Sequence, residues 1–145
     1  DAAGVLLYNT LRKFSFAKGK YSERADDGLR LQNCRVTNAV RCVPPQNKPV
    51  ASEVSACRKF LLGELTTLPR PKVVLALGTI AHNAVLRTLG FTQNSATFSH
   101  GAIHRLQSGS ILADSYHCSR YNTNTGRLTN AMFEDVFASV RKLLD

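Results

Sequence analysis

Tryptophan is absent, methionine occurs once, and ten Asp and Glu face nineteen Lys and Arg. The shortage of acid excludes an acidic, solvating chain. No apolar run approaches the twenty or so residues that cross a bilayer; "VVLAL" at Val73–Leu77 is among the longest. That predicts no membrane partner, and no basic amphipathic helix or polybasic run suggests a membrane surface. Four cysteines and five prolines in 145 residues exclude a disulfide scaffold and a proline-rich repeat. No charged-then-apolar leader opens the chain, which predicts a cytoplasmic protein with reduced thiols or metal ligands rather than disulfides. The opening "DAAGVLLYNTL" begins abruptly, like the middle of a longer sequence.

Hydrophobic residues make up 43% of the chain, enough for one buried core. The formal charge of +9 favours a polyanion as partner, because neutralising phosphates releases their counterions.

Periodicity gives the elements. Val5, Leu6, Leu7, Leu11 and Phe14 recur at helical spacing and predict a helix over residues 3–14. Residues 18–30 read as a surface loop. "CRVTNAVRC" at Cys34–Cys42 alternates and predicts a strand; the prolines of "PPQNKP" forbid regular structure after it. Ser52 is expected to cap a helix buried through Val54, Cys57, Phe60, Leu61 and Leu65. "PKVVLALG" at Pro71–Gly78 predicts a central parallel strand, and residues 79–89, closed by Gly90, a helix. Two short strands are expected at 102–106 and 110–113, and a last helix at 129–144 carries Met132, Phe133, Val136, Phe137, Val140, Leu143 and Leu144 inward. Alternating strands and helices predict an α/β fold covered on both faces, in one domain over residues 1–145. Ligands of such sheets gather beyond the carboxyl ends of the strands.

Four features carry candidate chemistry. Asn38, between Val36 and Val40, offers an acceptor and paired donors that suit a pyrimidine edge, although a bond to a neighbouring loop is the commoner use. "SYHCSRYNTNTG" at Ser115–Gly126 is almost wholly polar and follows a strand. His117 within it suits a general acid, an electrophile, a metal ligand or a plain loop histidine. Cys42 and Cys57 lie on either side of the proline loop, but two thiolates alone rarely hold a metal, and buried thiols are the commoner outcome. His100 and His104 are less informative, and "LGTIAHNA" after its strand lacks the glycine pattern of a dinucleotide turn.

Together "VTNAVRCVPPQNKP", "ACRKFL", "PKVVLALGTIAH", "SHGA" and "SYHCSRYNTNTGRLT" resemble, in the right order, the uracil-DNA glycosylase superfamily, most closely its type B (family 5) iron–sulfur branch. The resemblance implies a three-layer α/β/α fold around a central, mostly parallel sheet. It implies a monomeric repair enzyme that excises uracil, and other deaminated bases, flipped out of DNA. Asn38 would read the uracil edge and His117 would donate to the base O2, with His100 on the same edge. Asp1 would be a candidate for water activation. Ser119 would grip a phosphate, and Arg120, Tyr121, Asn122 and Arg127 would meet the duplex. Cys42 and Cys57 would be two of four ligands of a [4Fe–4S] cluster. Neither Cys34 nor Cys118 has a match that completes that set. Cys118 stands where the family has proline, which predicts a looser loop and a reactive thiol. The family's upstream motif and two further cluster cysteines have no counterpart in these residues, which predicts weak or no activity for this chain alone. The rival reading is a basic α/β module that binds DNA or a nucleotide without cutting.

Overall fold

The computed structural model describes residues 2–22, 28–39, 51–67 and 69–145. They fall into two compact units, residues 1–36 with 115–145, and residues 37–114.

In the first unit, helix α1 spans Ala2–Lys13 and buries Thr10 and Leu11. Thr10 returns its hydroxyl to the Leu6 carbonyl at 2.7 Å. Arg12 and Lys13 sit in the last turn, where cations meet the negative end of the helix dipole. Phe16 N–H donates to Leu11 O at 2.8 Å and turns the chain into strand β1, Ala17–Lys18. β1 pairs antiparallel with β2, Arg30–Leu31. The expected surface loop is the connection between them, and Gly19 makes its entry possible. Its φ is +95°, and a Cβ there would stand 2.2 Å from the Gly28 carbonyl oxygen. The last helix of the chain, Asn130–Leu144, is capped by Thr129, whose hydroxyl accepts from Met132 N–H at 3.1 Å. Of the seven expected inward residues, Phe133, Val136, Phe137 and Val140 are buried, whereas Met132, Leu143 and Leu144 are half-buried. The Phe137 ring meets Phe14, Phe16 and Phe133 at centroid distances of 6.1, 6.4 and 5.0 Å, within the range of favourable aromatic pairs.

The second unit holds helix α2 (Ala51–Thr66), strand β3 (Val73–Leu77), helix α3 (Thr79–Thr88), strand β4 (Ile103–Arg105) and most of strand β5 (Ile111–Ser115). The sheet order is β3-β5-β4. It is mixed, with parallel pairing beside an antiparallel β4–β5 hairpin in which Ile103 faces Ala113 and Arg105 faces Ile111. Leu61, Leu65, Ala76, Val85, Leu86, Ala96 and Leu112 make its core. Gly78, φ 96° and ψ 165°, turns β3 into α3, a conformation essentially confined to glycine.

The helix and strand assignments over 3–14, 71–89, 102–113 and 129–144 correspond to observed elements within a residue or two, and the α/β class holds. Four expectations need correction. Residues 34–39, the described part of the expected Asn38 strand, pair with nothing as a strand and are mostly exposed. Alternation is a condition for a half-buried strand, not a partner for one. β5, buried along its whole length, is the middle strand among the described residues, and β3 lies at the edge. Val73, Val74 and Leu75 of β3 are half-buried. Ser52 lies inside α2 rather than at its cap. Phe60 is 60% exposed rather than buried, since Leu61 and Leu65 already define the inward face of that helix. The proline loop lies outside the described residues.

Two glycine substitutions test the backbone account. Gly19→Ala is expected to lower stability by about 1–3 kcal/mol through strain at positive φ. Gly63→Ala, inside α2 with nothing within 4 Å of the added methyl, is expected to raise it by about 0.5–1 kcal/mol. Urea unfolding midpoints at unchanged slope check both.

Candidate active site

The polar stretch after β5 is built rather than loose. Ser115 is buried and donates its hydroxyl to Tyr116 O at 2.8 Å. Ser119 then caps helix α4, Arg120–Asn124, its oxygen accepting from Asn122 N–H at 3.2 Å. The Asn122 amide donates to His117 O at 2.9 Å, and Leu128 N–H donates to Asn122 O at 3.0 Å. The threonines stay within the turn, Thr123 and Thr125 donating to carbonyls three or four residues back. The guanidinium of Arg127 lies 4.7 Å from the centre of the Tyr116 ring, a cation–π contact. Sequence polarity signals a loop here; Ser119 and these short-range hydrogen bonds make it a capped helical turn instead.

His117 is exposed at the head of this turn. Partial desolvation by the surrounding protein holds its imidazole below the usual histidine pKa, which favours the neutral ring. Cys118 beside it is buried, and its thiol donates to Ala3 O on α1 at 3.6 Å. Burial raises its pKa, with a smaller opposing contribution from a backbone hydrogen bond. The expectation of a reactive thiol in a loosened loop is therefore corrected. The sulfur is an inert internal anchor, and capping supplies the stiffness proline would have given. Arg120 is exposed, and Tyr121 is 73% exposed.

Ser119, Arg120, Tyr121, Asn122 and Arg127 thus gather around His117 within one unit. Asn38 is exposed and belongs to the other unit, as does half-buried His100, in the turn before β4. Asp1 and Cys42 lie outside the described residues. Cys57, half-buried on α2, is disulfide-bonded. Cys34 and Cys118 are free, and burial raises both thiols. The described residues therefore supply no thiolate set for an iron–sulfur cluster.

One constellation is missing from the sequence reading. His82 Nδ1 lies 2.7 Å from Asp114 Oδ1, and His104 Nε2 lies 2.7 Å from Asp114 Oδ2. His82 and Asp114 are fully buried. The three ligand-type atoms lie within 4.8 Å of one another. However, 2.7 Å is a hydrogen-bond length, whereas ligands around a tetrahedral zinc stand roughly 3.3 Å apart. Protons, not a cation, fill this cluster. Two signals in the sequence mark it. His82 falls on the α3 stripe with Val85 and Leu86. Asp114 continues an apolar strand, where a carboxylate has to be paired.

Ligands of α/β sheets gather beyond the carboxyl ends of the strands, and the capped, histidine-bearing turn follows β5 directly along the chain. The sequence profile of the Uracil DNA glycosylase superfamily matches residues 1–141. A type-5 uracil-DNA glycosylase of Thermus thermophilus is 43% identical over 143 residues, covering 99% of this chain and 65% of the relative. One from Pyrobaculum aerophilum is 41% identical over 129 residues, covering 89% and 55%. A type-4 uracil-DNA glycosylase of Thermotoga maritima is 34% identical over 80 residues, covering 54% and 34%. The chain belongs to the uracil DNA glycosylase superfamily, and it spans under two thirds of the length of these relatives.

The lowered His117 pKa sets a pH signature. The folded state binds fewer protons than the unfolded chain between the depressed value and the ordinary one. Stability from this residue is therefore full above the ordinary value and falls as pH drops through the window. In an NMR titration the His117 midpoint is expected below about 6.5; a midpoint at or above that value removes the case for a neutral ring.

Proposed function

We propose that this chain hydrolyses the N-glycosidic bond of uracil in DNA, with the base flipped out of the duplex for attack. The observation that carries the reading is an exposed histidine, favoured as neutral, at the head of a braced turn in a member of this superfamily. Breaking the bond dissociatively leaves a cationic sugar and an anionic base. A donor aimed at the base oxygen stabilises that anion, and its hydrogen bond strengthens as charge develops. His117 serves as that donor, because a neutral imidazole delivers one N–H without giving up its proton. The amide of Asn38 pairs with the carbonyl and N–H of the uracil edge, with His100 beside it. Asp1 is the candidate for orienting the attacking water.

The DNA backbone falls to the surface of the turn. The Ser119 oxygen is occupied by the cap, but its hydroxyl proton remains for a phosphate oxygen. Arg120 and Tyr121 present a cation and a ring to the duplex, and Arg127 adds a second cation. Asn122 acts from within, holding the His117 carbonyl. The +9 charge supports a polyanionic partner. Deaminated bases other than uracil are included in the reading.

Iron–sulfur chemistry enters no step. Cys42 and Cys57 keep their place as candidate structural ligands through the resemblance alone. Anaerobic reduction followed by iron and sulfide is expected to give thiolate–iron charge-transfer absorption that Cys57→Ala abolishes. A colourless, iron-free product would remove the cluster from the account.

His117→Ala is expected to slow uracil release in single-turnover assays on the order of 10²- to 10³-fold, the usual loss of one preorganised donor. Asn38→Ala should cost about 1–3 kcal/mol of discrimination between uracil and the normal bases. Both variants should unfold at the wild-type urea midpoint, since both residues are exposed. Equal affinity for uracil-containing and ordinary DNA, with no abasic product, would leave the non-cutting DNA-binding module as the answer.

A further inference from the structure

Asp114 has every polar atom engaged. Its backbone N–H donates to Ala102 O at 3.0 Å, and its carbonyl accepts from Gly101 N–H at 2.8 Å. Oδ1 meets His82 Nδ1 at 2.7 Å. Oδ2 meets His104 Nε2 at 2.7 Å and accepts from Ser99 N–H at 3.4 Å. Counting protons orders the cluster. Ala96 O, 2.8 Å from His82 Nε2, can only accept, so Nε2 carries a hydrogen. One proton then lies between His82 and Asp114. A further proton lies between His104 Nε2 and Oδ2. Four segments are tied to one residue of β5: α3 through His82, β4 through His104, and the backbones around Ser99 and Gly101.

Apolar side chains would fill this space at less desolvation cost, and such swaps are often neutral or stabilising. What they would lack is direction. A carboxylate bonded on both oxygens and flanked by two bonded peptide groups fixes the position and the rotation of its own Cα. Ser115 and Tyr116 are the only residues between it and His117, and Ser115 is buried and hydrogen-bonded too. Asp114 and His117 are thus joined through two intervening residues of the chain.

We propose that Asp114, held by His82 and His104, is a positioning residue that sets where the His117 side chain stands. The proposal deepens the glycosylase reading and rests on it for its functional meaning, but its structural content is independent of any substrate. Asp114→Asn can keep the whole pattern. Its amide donates to His82 Nδ1, and its carbonyl accepts from His104 and Ser99. Asp114→Ala keeps none of it. His104→Phe removes one donor at the partly exposed edge of the cluster, where the His104 side chain is 18% exposed.

The test is amide hydrogen exchange at residues 115–118 with an NMR titration of His117, on the substrate-free chain and its three variants. In Asp114→Ala, exchange at Tyr116 and His117 is expected to rise at least tenfold and the His117 midpoint to return to the ordinary histidine range, while amides of the last helix, Asn130–Leu144, stay protected. Asp114→Asn should match the wild type within about threefold, a rescue that mere space-filling does not predict. His104→Phe should shift both readouts partway, which keeps the test open if the alanine variant does not fold. A folded Asp114→Ala or His104→Phe with His117 unmoved, or Asp114→Asn that loses both signals, overturns the proposal and leaves the glycosylase reading standing. The expected shifts in a chain that releases no uracil would overturn that reading alone.

Discussion

A carboxylate inside the most buried strand of a sheet has to be met at each lone pair, because an unpaired buried charge costs several kcal/mol. At Asp114 that requirement recruits α3, β4 and the chain around Ser99 and Gly101. The β3-β5-β4 sheet could be held by Leu86, Leu112 and their neighbours alone. The polar cluster adds a unique arrangement to a core that apolar packing would specify less sharply. It sits at the strand end from which the histidine-bearing turn departs.

The turn itself follows a different rule. It buries little apolar surface, so its order rests on local hydrogen bonds: the Ser119 cap, the Asn122 brace on His117 O and the threonine hydroxyls returned to carbonyls. Each is worth about 1 kcal/mol net, and they act within a span of about ten residues, so closing the turn costs little chain entropy. Cys118 adds the one long connection, to Ala3 on α1. Proline at this position would restrict φ and make no such bond. The chain reaches a similar stiffness with a buried thiol whose raised pKa keeps it unreactive.

Much of this was legible in the sequence, for reasons that differ by element. The stripe of Phe133, Val136, Phe137 and Val140, the apolar run closed by Gly78 and the hairpin turn before Ile111 are local signals, and local signals survive folding. The region around Asn38 was misjudged because alternation says nothing about whether a partner strand is present. Phe60 was misjudged because α2 offers more apolar residues than one face can bury. The polar turn was judged loose because composition does not show that Ser119 stands three residues before the N–H it caps. His82, His104 and Asp114 went unread as a set because they are thirty-two and ten residues from one another, and only the fold closes those gaps. Superfamily membership was legible because its motifs are short and ordered along the chain.

The pattern of burial around His117 joins these strands of argument. Ser115 before it and Cys118 after it are buried, whereas His117 is exposed. In the proposed function, His117 stabilises developing charge, and such a group has to meet the substrate, so it cannot be fully enclosed. It also has to be oriented before the charge appears, because reorganisation during the reaction would forfeit most of the benefit. Two buried anchors flanking one accessible ring meet both demands with a single extended segment. Partial desolvation then works in the same direction, since the surroundings that restrain the ring also disfavour its charged form. Restraint and protonation state are thus two consequences of one placement, and a change that frees the ring should alter both together.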